Sequence, residues 1–311
     1  MFNFIKVYKA KSKLYCGLAN KEQSKFDKAL KCLDESLEIM PDYKYALSLK
    51  GEIYEEMEVY DKALKCFDKA IDIDPYYINT WVKKGKLLLS LKQYDDAIEL
   101  YDKSLKINKD DFYILLNKTW TYVEKEDYES ALESADYNLK IFPEQKNCLL
   151  QKAHIFREMS NIEKAIKYHK KLVELYPSYQ EGWFQLTLDY HDLNKIEEAE
   201  EYLEKSVKLD KSGEHNYHHI ILLNELKKYE KALKLTNKQL KIDEDPTLHC
   251  FKGRFLDKLN NIDEAIKNYK IAIKEYELCI KEYSLIPIFW QYNHLSIFRQ
   301  MWVYRLICSI I

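Results

Sequence analysis

A repeat of 34 residues is the feature that most constrains the fold of this chain. Alanines recur at intervals of 34 and then 33 residues, and the series is Ala29, Ala63, Ala97, Ala131, Ala165, Ala199, Ala232 and Ala265. An aromatic residue or isoleucine lies three residues before each alanine. An acidic residue directly follows this aromatic residue or isoleucine. Such self-similarity is typical of repeat proteins, in which each unit packs on its neighbours. The sequence therefore predicts eight stacked units.

Each unit carries the signals of a helix that begins near the acidic residue and ends before a proline. A carboxylate such as Asp61 can accept hydrogen bonds from the free amide groups of a first helical turn. Apolar residues then recur at helical spacing. Proline follows twelve residues after the alanine in four units, and Pro246 is expected to act similarly near the last unit. This helix is the second of its unit.

A small residue is expected twelve residues before each alanine, where the two helices of a unit approach closely. Glycine or another small residue occupies this place in seven units, as Gly17, Gly51, Gly85, Thr119, Ala153, Thr187 and Gly253. Ile220 departs from the pattern. Together with the 33-residue spacings, this departure predicts altered packing around residues 213–223.

Composition narrows the class of protein further. Only 6 glycines and 6 prolines occur, which favours a mostly helical fold. The net charge is -2 and arginine occurs only four times, so a nucleic-acid partner is not expected. Seven scattered cysteines without a Cys-x-x-Cys pair predict reduced thiols. Lysines interrupt the apolar residues at the N-terminus, so a signal peptide is not indicated. The expected location is therefore cytoplasmic.

The combined pattern resembles the tetratricopeptide repeat, a helix-turn-helix unit. The resemblance rests on the small residue, the tyrosine three residues later, the alanine, the aromatic residue four residues further, and the proline, with Tyr54, Phe67 and Pro75 as one example. Trp81 and Trp183 occupy the aromatic place near the start of the first helix. The resemblance implies an all-α fold: a right-handed α-solenoid of eight repeats, whose concave groove is lined by the first helices and binds peptides.

The positions of the repeats divide the chain into three segments. Residues 1–9 are expected to lead into the first helix, and residues 10–279 to form eight repeats that start near 10, 44, 78, 112, 146, 180, 213 and 246. Residues 280–311 form an apolar, aromatic segment in which the last acid is Glu282 and the only later charges are Arg299 and Arg305. This segment has three open interpretations: a capping helix, a docking element for a membrane or partner, or an altered tail.

Polar residues two places before the small residue point into the groove in the tetratricopeptide family. The corresponding residues here are Lys83, Asn117, Gln151, Gln185 and His218. Amides at this spacing can hydrogen-bond an extended peptide, as in the asparagine ladders of long members of the family. The alternative interpretation is a set of solvated surface residues. Other candidate groove residues are Asn79, Lys86, Tyr113, Trp120, Asn147, His154 and Phe184.

Trp120 is the candidate with two contrasting interpretations, a binding anchor and interhelical packing. The groove is also expected to have an acidic edge that favours basic partner segments, formed by Glu124, Glu158, Asp192 and Glu225. The alternative interpretation of these four residues is a charged, solvated face. The family's carboxylate clamp for chaperone tails is not expected, because Leu14, Ser48, Val82, Leu116 and Leu150 occupy the places of its first lysine.

No motif for catalysis or for a cofactor is present in the sequence. His215, His218 and His219 form one cluster, but two histidines on one helix face do not make a metal site, and His219 falls at a place usually packed between helices. The leading hypothesis is a non-catalytic adaptor that binds a protein or peptide in its groove, without metal or cofactor. The alternative is a membrane-associated assembly factor tethered by its C-terminal aromatic segment.

Overall fold

A computed structural model of the chain describes residues 2–210, 213, 216–243 and 245–283, with side chains described from Lys6 to Glu275 within those ranges. Over these residues the fold is all-α. The sixteen helices are α1 Phe2–Glu22, α2 Phe26–Ile39, α3 Lys44–Glu56, α4 Tyr60–Ile73, α5 Ile78–Ser90, α6 Tyr94–Ile107, α7 Phe112–Glu124, α8 Tyr128–Ile141, α9 Lys146–Glu158, α10 Ile162–Leu175, α11 Gln180–Asp192, α12 Ile196–Leu209, α13 Asn216–Glu225, α14 Tyr229–Gln239, α15 Pro246–Lys258 and α16 Ile262–Tyr283.

The helices form eight consecutive pairs, the arrangement of an α-solenoid, and each pair closes through the same tight turn. One turn residue between the two helices of a pair has a positive φ of 54–62°, and none of these residues is glycine. They are Ser24, Glu58, Lys92, Glu126, Ser160, Asn194, Lys227 and Asn260. A left-handed backbone costs a non-glycine residue about 1 kcal/mol, so the packing of the paired helices must offset this cost.

The glycines at the predicted small position lie against large side chains of the second helix. Gly17 faces Leu33, Gly51 faces Phe67, and Gly85 faces Tyr101. A Cβ at Gly51 would lie 2.5 Å from the ring of Phe67, too close for any side chain to fit without movement. The alanine of each unit is also buried, for example Ala63 and Ala97. These contacts confirm that a small residue is needed where the helices meet.

Lysines form a series of ion pairs between the second helix of one pair and the first helix of the next. Lys50, Lys84, Lys118 and Lys152, spaced by 34 residues, contact Asp34, Asp68, Asp102 and Asp136. Each lysine is largely buried, whereas its aspartate is much more exposed. The lysine stem therefore contributes apolar packing between helices while its ammonium group reaches a carboxylate at the surface.

Pro246 does not end a repeat unit as the sequence pattern suggested. It occupies the first turn of α15, and Asp245 precedes it as the N-cap residue. Proline is compatible with this position because the first amide groups of a helix have no partner within the helix. The expectation for Pro246 is therefore wrong, whereas the helices before Pro41, Pro75, Pro143 and Pro177 end two residues before the proline.

Asp111 is a second N-cap residue, and its removal should destabilise α7. Its Oδ1 accepts hydrogen bonds from the backbone N–H groups of Tyr113 and Ile114, both at 3.1 Å. The variant Asp111→Ala is expected to lower the free energy of unfolding by about 1 kcal/mol, because these amide groups lose their acceptor. Urea denaturation followed by circular dichroism measures the change. Asp111→Asn should keep most of the stability, and equal losses in both variants would contradict the capping role.

The described residues divide into two compact units, one up to Leu175 and one from Tyr176 onward. The second unit contains the pair that departs from the repeat pattern, α13 with 10 residues and α14 with 11. Ile220, which replaces the small residue of this pair, is fully buried in α13. The turn before α13 includes Gly213 at a φ of 78°, whose amide donates to Asp210 Oδ1 at 2.9 Å.

Two of the cysteines differ from the sequence-based expectation of reduced thiols. Cys16 of α1 and Cys32 of α2 form a disulfide, with their Cα atoms 6.0 Å apart. Both lie beside the contact of Gly17 with Leu33, which brings the two helices together. Cys66 and Cys148 are free, and burial raises the pKa of both thiols. The expectation of reduced thiols is therefore wrong for the first pair.

The interpretations of the C-terminal segment lie outside the described residues, which end at Tyr283. Within the ranges that the structure covers, none of the helices combines the length and the apolar character that a bilayer crossing requires.

Candidate functional site

The first helices of successive pairs in the first unit contact one another and share a face. Lys21 of α1 and Lys83 of α5 both pair with Glu52 of α3. Gln151 Nε2 of α9 donates to the carbonyl oxygen of Leu116 in α7 at 2.9 Å. We call the surface formed by α3, α5, α7 and α9 the first-helix face. Because the contacts recur from pair to pair, residues 34 positions apart lie in register on this face.

Two rows of side chains are accessible on the first-helix face. The first row, near the helix starts, consists of Tyr45, Asn79, Tyr113 and Asn147, all of them exposed. The second row, seven residues further along each helix, contains Lys86, Trp120 and His154. The rows offer phenol, amide, indole and ammonium donors together with apolar ring surface. Tyr45 was not singled out in the sequence, although its 34-residue spacing to Asn79 was available as a signal.

Trp120 is the largest apolar side chain exposed on this face. It is 37% exposed, and its ring centroid lies 5.0 Å from that of His154 on the neighbouring helix α9. Trp81 on α5 differs: it is 5% exposed and its Nε1 donates to the carbonyl oxygen of Pro75 at 2.9 Å. Trp81 therefore holds the repeat together, whereas Trp120 has both packed and open ring surface.

The predicted ladder of polar residues is largely occupied by contacts within the protein. Gln151 is 1% exposed, and Asn117 Nδ2 donates to the carbonyl oxygen of Tyr113 at 2.7 Å. Lys83 pairs with Glu52, and Gln185 Nε2 donates to Glu181 Oε1 at 2.6 Å. A free row of amides is therefore absent at these positions. Within α3, α5, α7 and α9 the exposed amide side chains are instead those of Asn79 and Asn147.

Carboxylates and lysines form a network at one end of the first-helix face. Lys21 Nζ lies 2.9 Å from both Glu52 Oε2 and Glu56 Oε1. Although burial opposes the shift, the hydrogen bonds to these two carboxylates raise the pKa of Lys21. Burial, together with the negative charges of Glu52 and Glu56, raises the pKa of Glu55. This end of the face is therefore internally paired.

His154 lies close to both Trp120 and Glu158. Burial lowers the pKa of His154, and its Nε2 is 3.5 Å from Glu158 Oε1. Glu124 and Glu158 are exposed at the ends of α7 and α9. An aromatic surface and two acidic groups are therefore presented together on this part of the face.

The remaining predicted site residues belong to the second unit. Phe184 is 7% exposed, and its ring packs at 5.4 Å from that of His219, so it contributes to packing rather than to an open surface. His218 is exposed, and Gln185 is half-buried. The expectation that Phe184 points into an open groove is therefore wrong, because its ring fills the space between α11 and α13.

The histidine cluster offers no metal site among the residues that can be described. His215 lies outside the described residues, and those within them include no group of three potential metal ligands. His219 is fully buried, with its Nε2 3.0 Å from Ser206 Oγ and its Nδ1 3.9 Å from Asp210 Oδ2. The order Ser–His–Asp resembles a hydrolytic triad, but burial of all three residues between helices closes them to a substrate.

The family comparison agrees with these repeat contacts. Models of the tetratricopeptide repeat match residues 44–110, 147–179 and 182–212. These parts of the chain therefore consist of tetratricopeptide repeats, as the sequence pattern predicts.

Solved structures with the same fold include two proteins of similar helical arrangement. PilW, described as a widely conserved type IV pilus biogenesis factor, is 18% identical and matches 63% of this chain and 91% of its own, with a TM-score of 0.51. PilF of Pseudomonas aeruginosa is 14% identical and matches 66% of this chain and 93% of its own, with a TM-score of 0.50. At these identities the likeness shows the fold alone. No curated protein matches the sequence.

Proposed function

We propose that the chain is a non-catalytic scaffold that binds an extended segment of a partner protein on its first-helix face. Tetratricopeptide repeats support a role in protein–protein interaction. The finer assignment, a peptide held along α3, α5, α7 and α9, is supported by the two accessible rows of side chains. The adjacent first helices position these rows at the regular spacing that an extended chain can follow.

The exposure of Trp120 is the observation that carries this proposal. An indole that is partly open to water gains free energy when a partner covers it, and tryptophan is enriched among residues that dominate binding. Tyr113 is 64% exposed on the same helix, and Asn147 on α9 adds an exposed amide. The proposed site therefore consists of Asn79, Lys86, Tyr113, Trp120, Asn147 and His154, with Gln151 and Phe184 omitted because they are buried.

The neighbouring carboxylates favour a partner segment with a basic residue. A lysine or arginine beside Trp120 would meet the aromatic ring and the negative potential of Glu124 and Glu158 together. The carboxylates of Glu52 and Glu56 are less suited to this role, because Lys21 and Lys83 already pair with them.

Replacement of Trp120 by alanine is expected to weaken binding by about 2 kcal/mol, which is about thirtyfold in Kd. The probe is a peptide selected from a random library against the full chain, and its affinity is measured by fluorescence anisotropy. Tyr60→Ala is the matched control, because Tyr60 at the start of α4 is 36% exposed. It should leave the affinity unchanged.

Equal affinities for the parent chain and for Trp120→Ala would contradict the proposal, provided that circular dichroism shows the same helicity. A loss of affinity in Tyr60→Ala that matches the loss in Trp120→Ala would also contradict it, since binding would then not be specific to the first-helix face.

A further inference from the structure

A large apolar cleft lies in the second unit, on the second helices of the repeats rather than on the first helices. Its volume is about 790 Å³, and residues of α12 and α14 form most of its lining. Leu203 and Val207 of α12, Leu223 of α13, Leu233 of α14 and Leu259 supply its aliphatic surface. This volume lies within the range of pockets that bind ligands, and the mainly aliphatic lining favours an occupant with apolar groups.

The helix α14 is shorter than α12, the corresponding helix of the preceding pair. The second helix α12 has 14 residues, whereas α14 has 11. In the phase of the repeat, Ala199 corresponds to Ala232, so the last turn of α12 extends beyond the end of α14. Val207 and Lys208, which line the cleft, belong to this last turn. Apolar surface on α12 is therefore left without a neighbouring helical turn.

Lysines surround the apolar surface. The lining includes Lys208, Lys231, Lys234, Lys238 and Lys241, against only Glu204 and Glu230. Lys231 is paired with Glu200 and Glu204, at 2.6 and 2.5 Å. The other four lysines are exposed and make no ion pair with the described residues. The rim therefore carries an excess of positive charge that an occupant can neutralise.

The spacing of the lysines indicates the kind of occupant. Lys234 and Lys238 lie four residues apart on α14, about 6 Å along the helix axis, and Lys241 follows in the turn after the helix. Several carboxylates in a row can pair with a row of lysines of this length, whereas a fatty acid carries only one carboxylate. The C-terminal residues of this chain are poorly matched, because their only charges after Glu282 are Arg299 and Arg305.

We propose that this cleft binds an acidic amphipathic helix of a partner protein. Leucine-type residues of that helix fill the space lined by Val207, Leu233 and Leu259, and its glutamates or aspartates contact the lysine rim. This second docking site does not depend on the peptide proposed for the first-helix face, because it lies on different helices and selects the opposite charge.

A synthetic peptide of about 15 residues tests the proposal, with leucines at i, i+3, i+4 and i+7 and glutamates on the other face. Binding to the full chain is measured by fluorescence anisotropy. The double variant Lys234→Glu, Lys238→Glu is expected to weaken binding about tenfold or more, because attraction becomes repulsion. A peptide with lysines in place of its glutamates should not bind, and added salt should weaken the acidic peptide.

The matched control reverses two exposed lysines at the same spacing on another second helix, Lys65→Glu and Lys69→Glu of α4. It should retain the parent affinity, as should Trp120→Ala, whose site lies elsewhere. Both reversals change surface residues, so helicity should be unchanged. Failure of the acidic peptide to bind, equal weakening in the two double variants, or binding of oleate without binding of the peptide would overturn the proposal.

Discussion

Replacing Phe67 with alanine should lower the free energy of unfolding by about 4 kcal/mol. Phe67 is fully buried in α4, where its ring packs against Gly51, Ala63 and Leu87. Truncation removes this buried ring and leaves a cavity, because the surrounding helices can relax only in part. The loss should be visible as a lower midpoint of urea denaturation, followed by circular dichroism.

Tyr76→Ala provides the control for this loss. Tyr76 is 75% exposed in the turn before α5, so its truncation should change stability by no more than about 0.5 kcal/mol. Similar midpoints for the Phe67 and Tyr76 variants would show that Phe67 does not hold α3 and α4 together.

Gly85→Val is expected to cost about 3 kcal/mol, from overpacking rather than from a cavity. The ring of buried Tyr101 covers Gly85 so closely that a Cβ on the glycine has no room. Helix propensity does not explain this loss, because valine is a better helix former than glycine. Lys86→Val, at the exposed next position, places a valine in α5 without the contact with Tyr101 and should cost much less. Thermal and urea unfolding of the three chains give the comparison.

A second substitution identifies the cause. Tyr101→Leu shortens the opposing side chain, so it should cost less in the Gly85→Val chain than in the parent chain. Additive losses would contradict direct contact between these positions as the source of the destabilisation.

The sequence predicts the helix pairs well because their determinants are local and repeated. The acidic residue in the first turn of each second helix and the alanine that follows recur in phase, and the structure places them as expected, for example Asp61 and Ala63 in α4. The turn residues could not be found in this way. Their positive φ is held by helix packing, and residues such as Glu58 and Lys92 carry no signal of a left-handed backbone.

The disulfide has a signal in the sequence other than a Cys-x-x-Cys pair. The small residue Gly17 contacts Leu33, 16 residues later, and the same offset separates Cys16 from Cys32. The buried lysines follow a similar logic, since Lys50 lies 16 residues after its partner Asp34. The number of residues that separates two contacting side chains on neighbouring helices can be used as a signal only once one such contact is known.

The candidate site was predicted less completely than the fold. Asn79, Tyr113 and Trp120, which are among the groove candidates in the sequence, are exposed on the first-helix face. Gln151 was expected beside them, but its amide is used in a hydrogen bond to the backbone of the neighbouring helix. Whether a polar side chain faces water or a carbonyl group depends on the distance between adjacent first helices, which the repeat period does not encode.

Site-specific photocrosslinking tests the central claim most directly. A photoreactive amino acid replaces Tyr113 on the first-helix face in one chain and Lys65 on the second helix α4 in another, both exposed positions. The library-selected peptide should crosslink at position 113 and not at position 65, and an excess of unlabelled peptide should suppress the product. Crosslinking at position 65, or none at position 113 despite binding, would contradict a partner bound on the first-helix face.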